Sequence, residues 1–204
     1  MPLQNRVDPF GELFASSARG LFMGNRGGRM HTDERTLAKR RWASRQWICC
    51  VLDFNGRQRD VWGDSYTELF FLDEVTALAA GHRPCFECRR KDADIFAGLW
   101  ARTRGLPVRA SAPEIDVALQ AERLEGRTKR LHQRRIDRLP EGAVLVLEGE
   151  GAFALRGGAL LHWAPAGYDA RKPLPRGSVD VLSPPSILSV LAAGYRPHWH
   201  PSAG

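Results

Sequence analysis

A helix stop that runs straight into a cysteine turn constrains this chain more than any other stretch. Tyr66 to Arg90 reads YTELFFLDEVTALAAGHRPCFECRR. Leu69 to Leu72 form an apolar and aromatic run of strand length. Asp73 is a helix cap, and Val75, Leu78 and Ala79 recur on one helical face. Gly81 predicts the helix end, because glycine accepts the backbone conformation that closes the last carbonyls. Pro84 blocks further helix and presents Cys85 and Cys88 on a rigid turn.

The same punctuation recurs near the C-terminus. LAAGHRPC (78–85) is echoed by LAAGYRPH (191–198), each preceded by a strand, a cap and a helix. The echo predicts a duplicated unit or two equivalent helix ends in one fold. The second copy sets His198 and His200 where the first sets the cysteines. Thiolate and imidazole both bind zinc, although HWHPSAG also reads as a loose tail.

Around this stretch the elements alternate between strand and helix patterns. Residues 1–34 read as an arm anchored by Phe10, Leu13, Phe14, Leu21 and Phe22, with GNRGGR (24–29) as a glycine-rich loop. Residues 35–46 read as a basic helix carrying Arg40, Arg41 and Arg45 beside Trp42. Trp47 to Phe54 is an apolar strand, with Asn55-Gly56 as a hairpin turn and 57–62 as the return strand. Cys49 and Cys50 lie inside it, and strand alternation lets at most one of them face a given site. Helices follow over 92–104 and 113–125, then the most basic window, 126–138. From Gly142 glycine-punctuated strands predict a β-meander, then a strand at 178–182 and a helix capped by Ser183, with Pro184 in its first turn, that runs to Ala193 before Gly194.

The expected fold is therefore α+β: a small zinc-bearing module with antiparallel strands over 35–110, and a helical connector, β-meander and C-terminal helix over 111–204. The second part packs with the first as one unit.

With 204 residues the chain is long enough for a substantial core. It has no apolar run of membrane-spanning length and no signal-peptide pattern, which predicts a cytoplasmic protein with no membrane partner. Four cysteines are too few for a disulfide scaffold, so metal or redox chemistry is the better reading of the CxxC. As a redox pair it would draw on Arg83, Arg89 and Arg90 to lower a thiol pKa. As a zinc half-site it needs two more ligands, and the preceding Arg-Pro favours this reading. A net charge of +7 tilts the expected partner toward polyanions.

FFLDEVTALAAGHRPCFEC resembles the second half of the Ada-type metal-binding domain, in which an AAGxRPCxxC turn carries the second pair of zinc cysteines. Trp47 to Cys50 stands at the place of that family's first pair, which is spaced C-x3-C, whereas here the cysteines are adjacent. Over its whole length the chain resembles a bacterial family sharing WICCVLDF, YTELFFLDE and LAAGHRPC. The Ada resemblance implies a zinc domain that binds nucleic acid, DNA before RNA, with a link to DNA repair or processing.

The candidate zinc ligands are Cys85, Cys88, Cys50 and His198, with His82 and His31 as further histidines. The candidate phosphate contacts are Arg40, Arg41, Arg45, Arg83, Arg89 and Arg90. Two other classes remain open. One is an enzyme acting on nucleic acid or modified nucleotides, drawing on Glu68, Asp73, Glu74 and His82, with Glu68 and Glu74 otherwise read as exposed. The other is a structural zinc protein that binds another protein.

Overall fold

The cap expected at Asp73 forms, and the helix it starts is the hub of the molecule. The computed structural model describes residues 1–57 and 60–204. Asp73 Oδ1 accepts from the Thr76 backbone N–H at 2.8 Å, opening α1 (Glu74–Ala79), and every residue of that helix is buried. A six-residue helix buried on all sides gains little from propensity and is held by its packing. Ala77 and Ala80 pack into a cluster with Val7, Leu69 and Phe71. Val75 and Ala79 pack against Val144, Ala154 and Leu161. Leu78 joins the helical core of Phe96, Trp100, Leu119 and Val190.

The first sheet is built from β1 (Arg6–Val7), β2 (Leu13–Phe14), β3 (Phe22–Arg26), β4 (Trp47–Val51), β5 (Leu69–Phe71) and β6 (Arg83–Pro84). Its order is β2-β1-β5-β3-β4-β6. β1 runs parallel to β5 and β6 parallel to β4, and the remaining pairs are antiparallel. Residues 1–34 are thus not an appended arm: they supply three of the six strands. The GNRGGR stretch is likewise strand up to Arg26, and that arginine is 1% exposed.

The basic segment 35–46 is not a helix. Its backbone instead follows the end of β3: Ala38 N–H donates to Met30 O, and Ala43 and Ser44 N–H groups both donate to Arg26 O. The return strand expected over 57–62 includes Gln58 and Arg59, which lie outside the described residues. Val61 and Trp62 beyond them form a turn.

The helical layer holds α2 (Arg90–Thr103), α3 (Ala112–Arg123) and, at the far end of the chain, α4 (Pro185–Ala192). A short hairpin of β7 (Leu124–Glu125) and β8 (Thr128–Lys129) leaves α3. The second sheet is wholly antiparallel, with order β13-β12-β11-β10-β14-β9. It comprises β9 (His132–Arg135), β10 (Val144–Leu147), β11 (Gly151–Arg156), β12 (Ala159–Ala164), β13 (Gly167–Lys172) and β14 (Ser178–Val181). The meander appears as its alternating pattern predicts, with one more strand, and the fold is mixed α+β. No helix among the described residues is long and apolar enough to cross a membrane.

Candidate metal centre

Sheet register brings the cysteines together. Cys50 sits on β4 opposite Met23, and β6 lies parallel on the other side of β4, with Pro84 beside Cys49. The chain leaving β6 therefore emerges next to β4, where Cys85 N–H donates to Cys49 O at 3.0 Å. A turn follows, closed by Arg89 N–H on Cys85 O, and it carries Cys88 back toward the same point. The sulfurs of Cys50, Cys85 and Cys88 all lie within 4.8 Å of one another. Cys85 is buried, and Cys50 and Cys88 are partly exposed.

The surroundings of these sulfurs favour a thiolate at Cys85, while Cys50 and Cys88 are held toward the thiol. Backbone N–H groups of Glu87 and Cys88 aim at Cys85, the first at 3.4 Å, and that of Val51 aims at Cys88. Hydrogen bonds from Cys50 and Cys88 pull the Cys85 pKa far down, whereas the same contacts, with burial, push Cys50 up. Three such thiols without a cation settle on one shared charge, because a second anion is repelled by the first. A divalent ion removes that penalty. Zinc thiolates bound tetrahedrally at about 2.3 Å stand about 3.8 Å apart, so this cluster is nearly closed around an ion-sized centre. The donor set is all sulfur, which fits a soft, four-coordinate ion such as zinc.

Alternation along β4 separates the adjacent pair, as strand geometry requires. Cys49 faces the opposite side, is 0% exposed, and takes a hydrogen bond from Arg89 Nη1 at 3.4 Å. Burial raises its thiol pKa.

The candidate histidines stand elsewhere. His198 does not join the sulfurs: its ring packs near Phe22, with Nε2 3.9 Å from Asp92 Oδ2. His82 is buried between Trp47 and Phe71, and burial with Arg26 and Arg123 nearby drives its pKa well below the usual value. His31 is tied to Thr67 Oγ1 and Gly63 O and stacks on Trp62. The C-terminal tail is not loose. Glu74 accepts from His198 N–H at 3.0 Å, and Asp73 from His200 N–H at 3.1 Å.

The proposed phosphate contacts divide by burial. Arg83 makes two 2.8 Å bonds to the carboxylate of Asp116 and is 1% exposed. Arg89 is 4% exposed and bridges Glu74 at 2.9 Å and Asp92 at 2.7 Å. Both are interior cations of the fold and not surface contacts, because each neutralises carboxylates that would otherwise be buried unpaired. Arg40, Arg45 and Arg90 are exposed, Arg90 pairing with Asp94, while Arg41 is partly buried and bonds to Ala38 O. Arg127 Nη2 donates to Lys39 O at 2.8 Å, which sets the two basic windows side by side.

Two acidic residues expected at the surface are inside. Glu74 is 0% exposed, with Tyr195 Oη on its Oε1 at 2.6 Å. Glu68 is 1% exposed; its Oε2 accepts from Trp62 N–H at 2.8 Å, while its Oε1 is buried and has no hydrogen-bond partner among the described residues. Glu68 lines a cavity of about 240 Å³ that also reaches Cys50, Cys85 and Cys88. Strand alternation offered the signal, since Glu68 shares a face with Phe70.

Comparison with protein-family models, with curated proteins and with solved structures finds no match.

Proposed function

We propose that this is a zinc-thiolate protein that binds nucleic acid, DNA before RNA, in a role linked to DNA repair or processing. The observation that carries the metal half is the convergence of Cys50, Cys85 and Cys88 under three backbone N–H donors. Backbone N–H donors already aimed at these sulfurs stabilise the deprotonated form that a divalent cation requires. The nucleic-acid half is supported by the net charge of +7 and by the joining of the windows around Lys39 and Arg127, with Arg40 and Arg45 exposed beside the first. Phosphate binding by such a surface releases counterions and weakens steeply with salt.

Purified protein is expected to hold one zinc per chain and to bind random single- and double-stranded oligonucleotides at low salt. On duplex DNA, Arg40→Ala with Arg45→Ala is expected to lower the log–log salt slope by about 2, one unit per lost phosphate contact. Metal-free, well-folded protein overturns the metal half. Zinc-loaded protein with no affinity for either nucleic acid at low salt overturns the other half and leaves a structural zinc protein serving another protein.

Glu68 favours a second reading, an enzyme acting on nucleic acid or modified nucleotides. Cys50, Cys85 and Cys88 would hold a zinc ion, which would supply Lewis-acid polarisation of a water or ligand atom at its remaining position. Glu68, in the wall of the same cavity, is the candidate acid–base group. Product analysis over a panel of modified nucleotides tests it: turnover lost in Glu68→Gln supports the reading, and no turnover by wild type removes it.

A further inference from the structure

The buried oxygen of Glu68 has a more specific consequence. A buried carboxylate oxygen without a donor forfeits the hydrogen bonds it had in water, a loss that a donor on a bound ligand would restore. Trp62 engages only the other oxygen.

The register of β3 against β5 sets Met23 opposite Phe70, and the next positions on that face are Asn25 and Glu68. Asn25 is itself 6% exposed and holds its Oδ1 on Gly27 N–H at 2.9 Å, which leaves its NH2 end as the donor for a ligand. Met23, Ile48 and Phe54 line the same cavity with apolar surface. At about 240 Å³ it is smaller than the roughly 300 Å³ at which drug-sized sites begin, and suits a single planar ring system. Arg57 stands in its wall, paired with Glu87 at 2.8 Å and exposed enough to meet a phosphate.

We infer that this cavity binds one unstacked nucleobase, with an exocyclic amine donating to Glu68 Oε1, an acceptor facing Asn25, and the sugar-phosphate leaving past Arg57. The inference rests on the nucleic-acid reading only for the source of the base. A free nucleotide carries the same chemistry.

The test uses the zinc-loaded full chain, titrated calorimetrically with adenosine, cytidine and guanosine 5′-monophosphates. Their N6,N6-dimethyladenosine, N4,N4-dimethylcytidine and N2,N2-dimethylguanosine counterparts, which lack the donor, serve as controls. At least one amino nucleotide is expected to bind. Its dimethylated counterpart should bind at least 10-fold more weakly, because a site built around a hydrogen bond rejects the analogue that lacks it. Glu68→Gln, which keeps an acceptor for Trp62 N–H but can turn a donor into the cavity, should weaken the parent base by a similar factor and spare the dimethylated one.

Equal binding of parent and dimethylated bases, or an unchanged Glu68→Gln variant, overturns the inference. So does no binding at millimolar nucleotide by protein with full zinc content and native circular dichroism. A salt-sensitive oligonucleotide complex indifferent to Glu68→Gln, with no nucleotide binding, sinks the pocket and leaves the surface reading standing. Bound nucleotide that a single-stranded oligonucleotide displaces supports a strand-borne base. Bound nucleotide that it does not displace supports a pocket for free nucleotides and counts against the nucleic-acid reading alone.

Discussion

Cys49 and Cys50 share a peptide bond and nothing else. Cys50→Ser, Cys85→Ser and Cys88→Ser are each expected to reduce bound zinc from one per chain to a small fraction, measured by elemental analysis after dialysis. Cys49→Ala should keep the zinc and cost about 1 kcal/mol of stability as an ordinary buried truncation. His198→Ala should also keep it, since its ring stands by Phe22 and Asp92. Arg83 and Asp116 form a buried bidentate pair, and removing one partner strands the other charge. Asp116→Ala is therefore expected to lower stability by about 3–5 kcal/mol in urea unfolding, with no change in the salt slope of nucleic-acid binding.

Among the elements, the repeated LAAGxRP resolves into two equivalent helix ends. Gly81 N–H donates to Leu78 O and His82 N–H to Ala77 O; Gly194 N–H donates to Leu191 O and Tyr195 N–H to Val190 O. Both glycines have positive φ, +89° and +111°. They differ in their neighbours. A Cβ on Gly81 would lie 2.7 Å from Arg123 Cδ and 2.8 Å from Arg123 Cβ, whereas one on Gly194 meets open space. Gly194→Ala should cost about 1–3 kcal/mol of backbone strain, and Gly81→Ala clearly more, as read from paired thermal melts. The second end also ties the tail to the first helix, because Tyr195 Oη and His198 N–H both donate to Glu74.

Across the whole molecule, uncompensated cations gather where the C-terminus of α1 meets β8 and α3. Lys129 Nζ caps Ala79 O, and Arg123 Nη1 donates to Gly81 O at 2.9 Å. Burial, then Arg123 and Arg26, lower the Lys129 pKa from 10.5 to about 7, with Asp8 only partly offsetting them. Between these values the unfolded chain binds more protons than the folded one, so stability should rise with pH above about 7. The window from about 7 to 9 is the cleanest, since Arg26 and Arg123 change near 9, where unfolded cysteines also ionise. Lys129→Met should flatten the rise of the urea midpoint in that window.

The amino-acid sequence by itself determined the local punctuation. Asp73 as cap, Gly81 as stop, the CxxC turn and the meander all follow from backbone conformations that few residues accept, so each is legible within a few positions. Strand alternation alone separated Cys49 from Cys50. Tertiary structure decided everything that depends on partners far along the chain. Residues 35–46 lost their helix because their N–H groups pair with the extension of β3. Arg6–Val7 and Phe22–Arg26 became strands because β5 and β4 accept them, and Leu13–Phe14 because it pairs with the first of these. Glu74 could be buried because Arg89 neutralises it and because Tyr195 and His198 arrive from more than a hundred residues away to donate to it. The opening stretch thus carried two of the three clustered sulfurs in its own spelling. The third sulfur, and the cavity beside it, exist only because two parallel strands place β4 and β6 side by side.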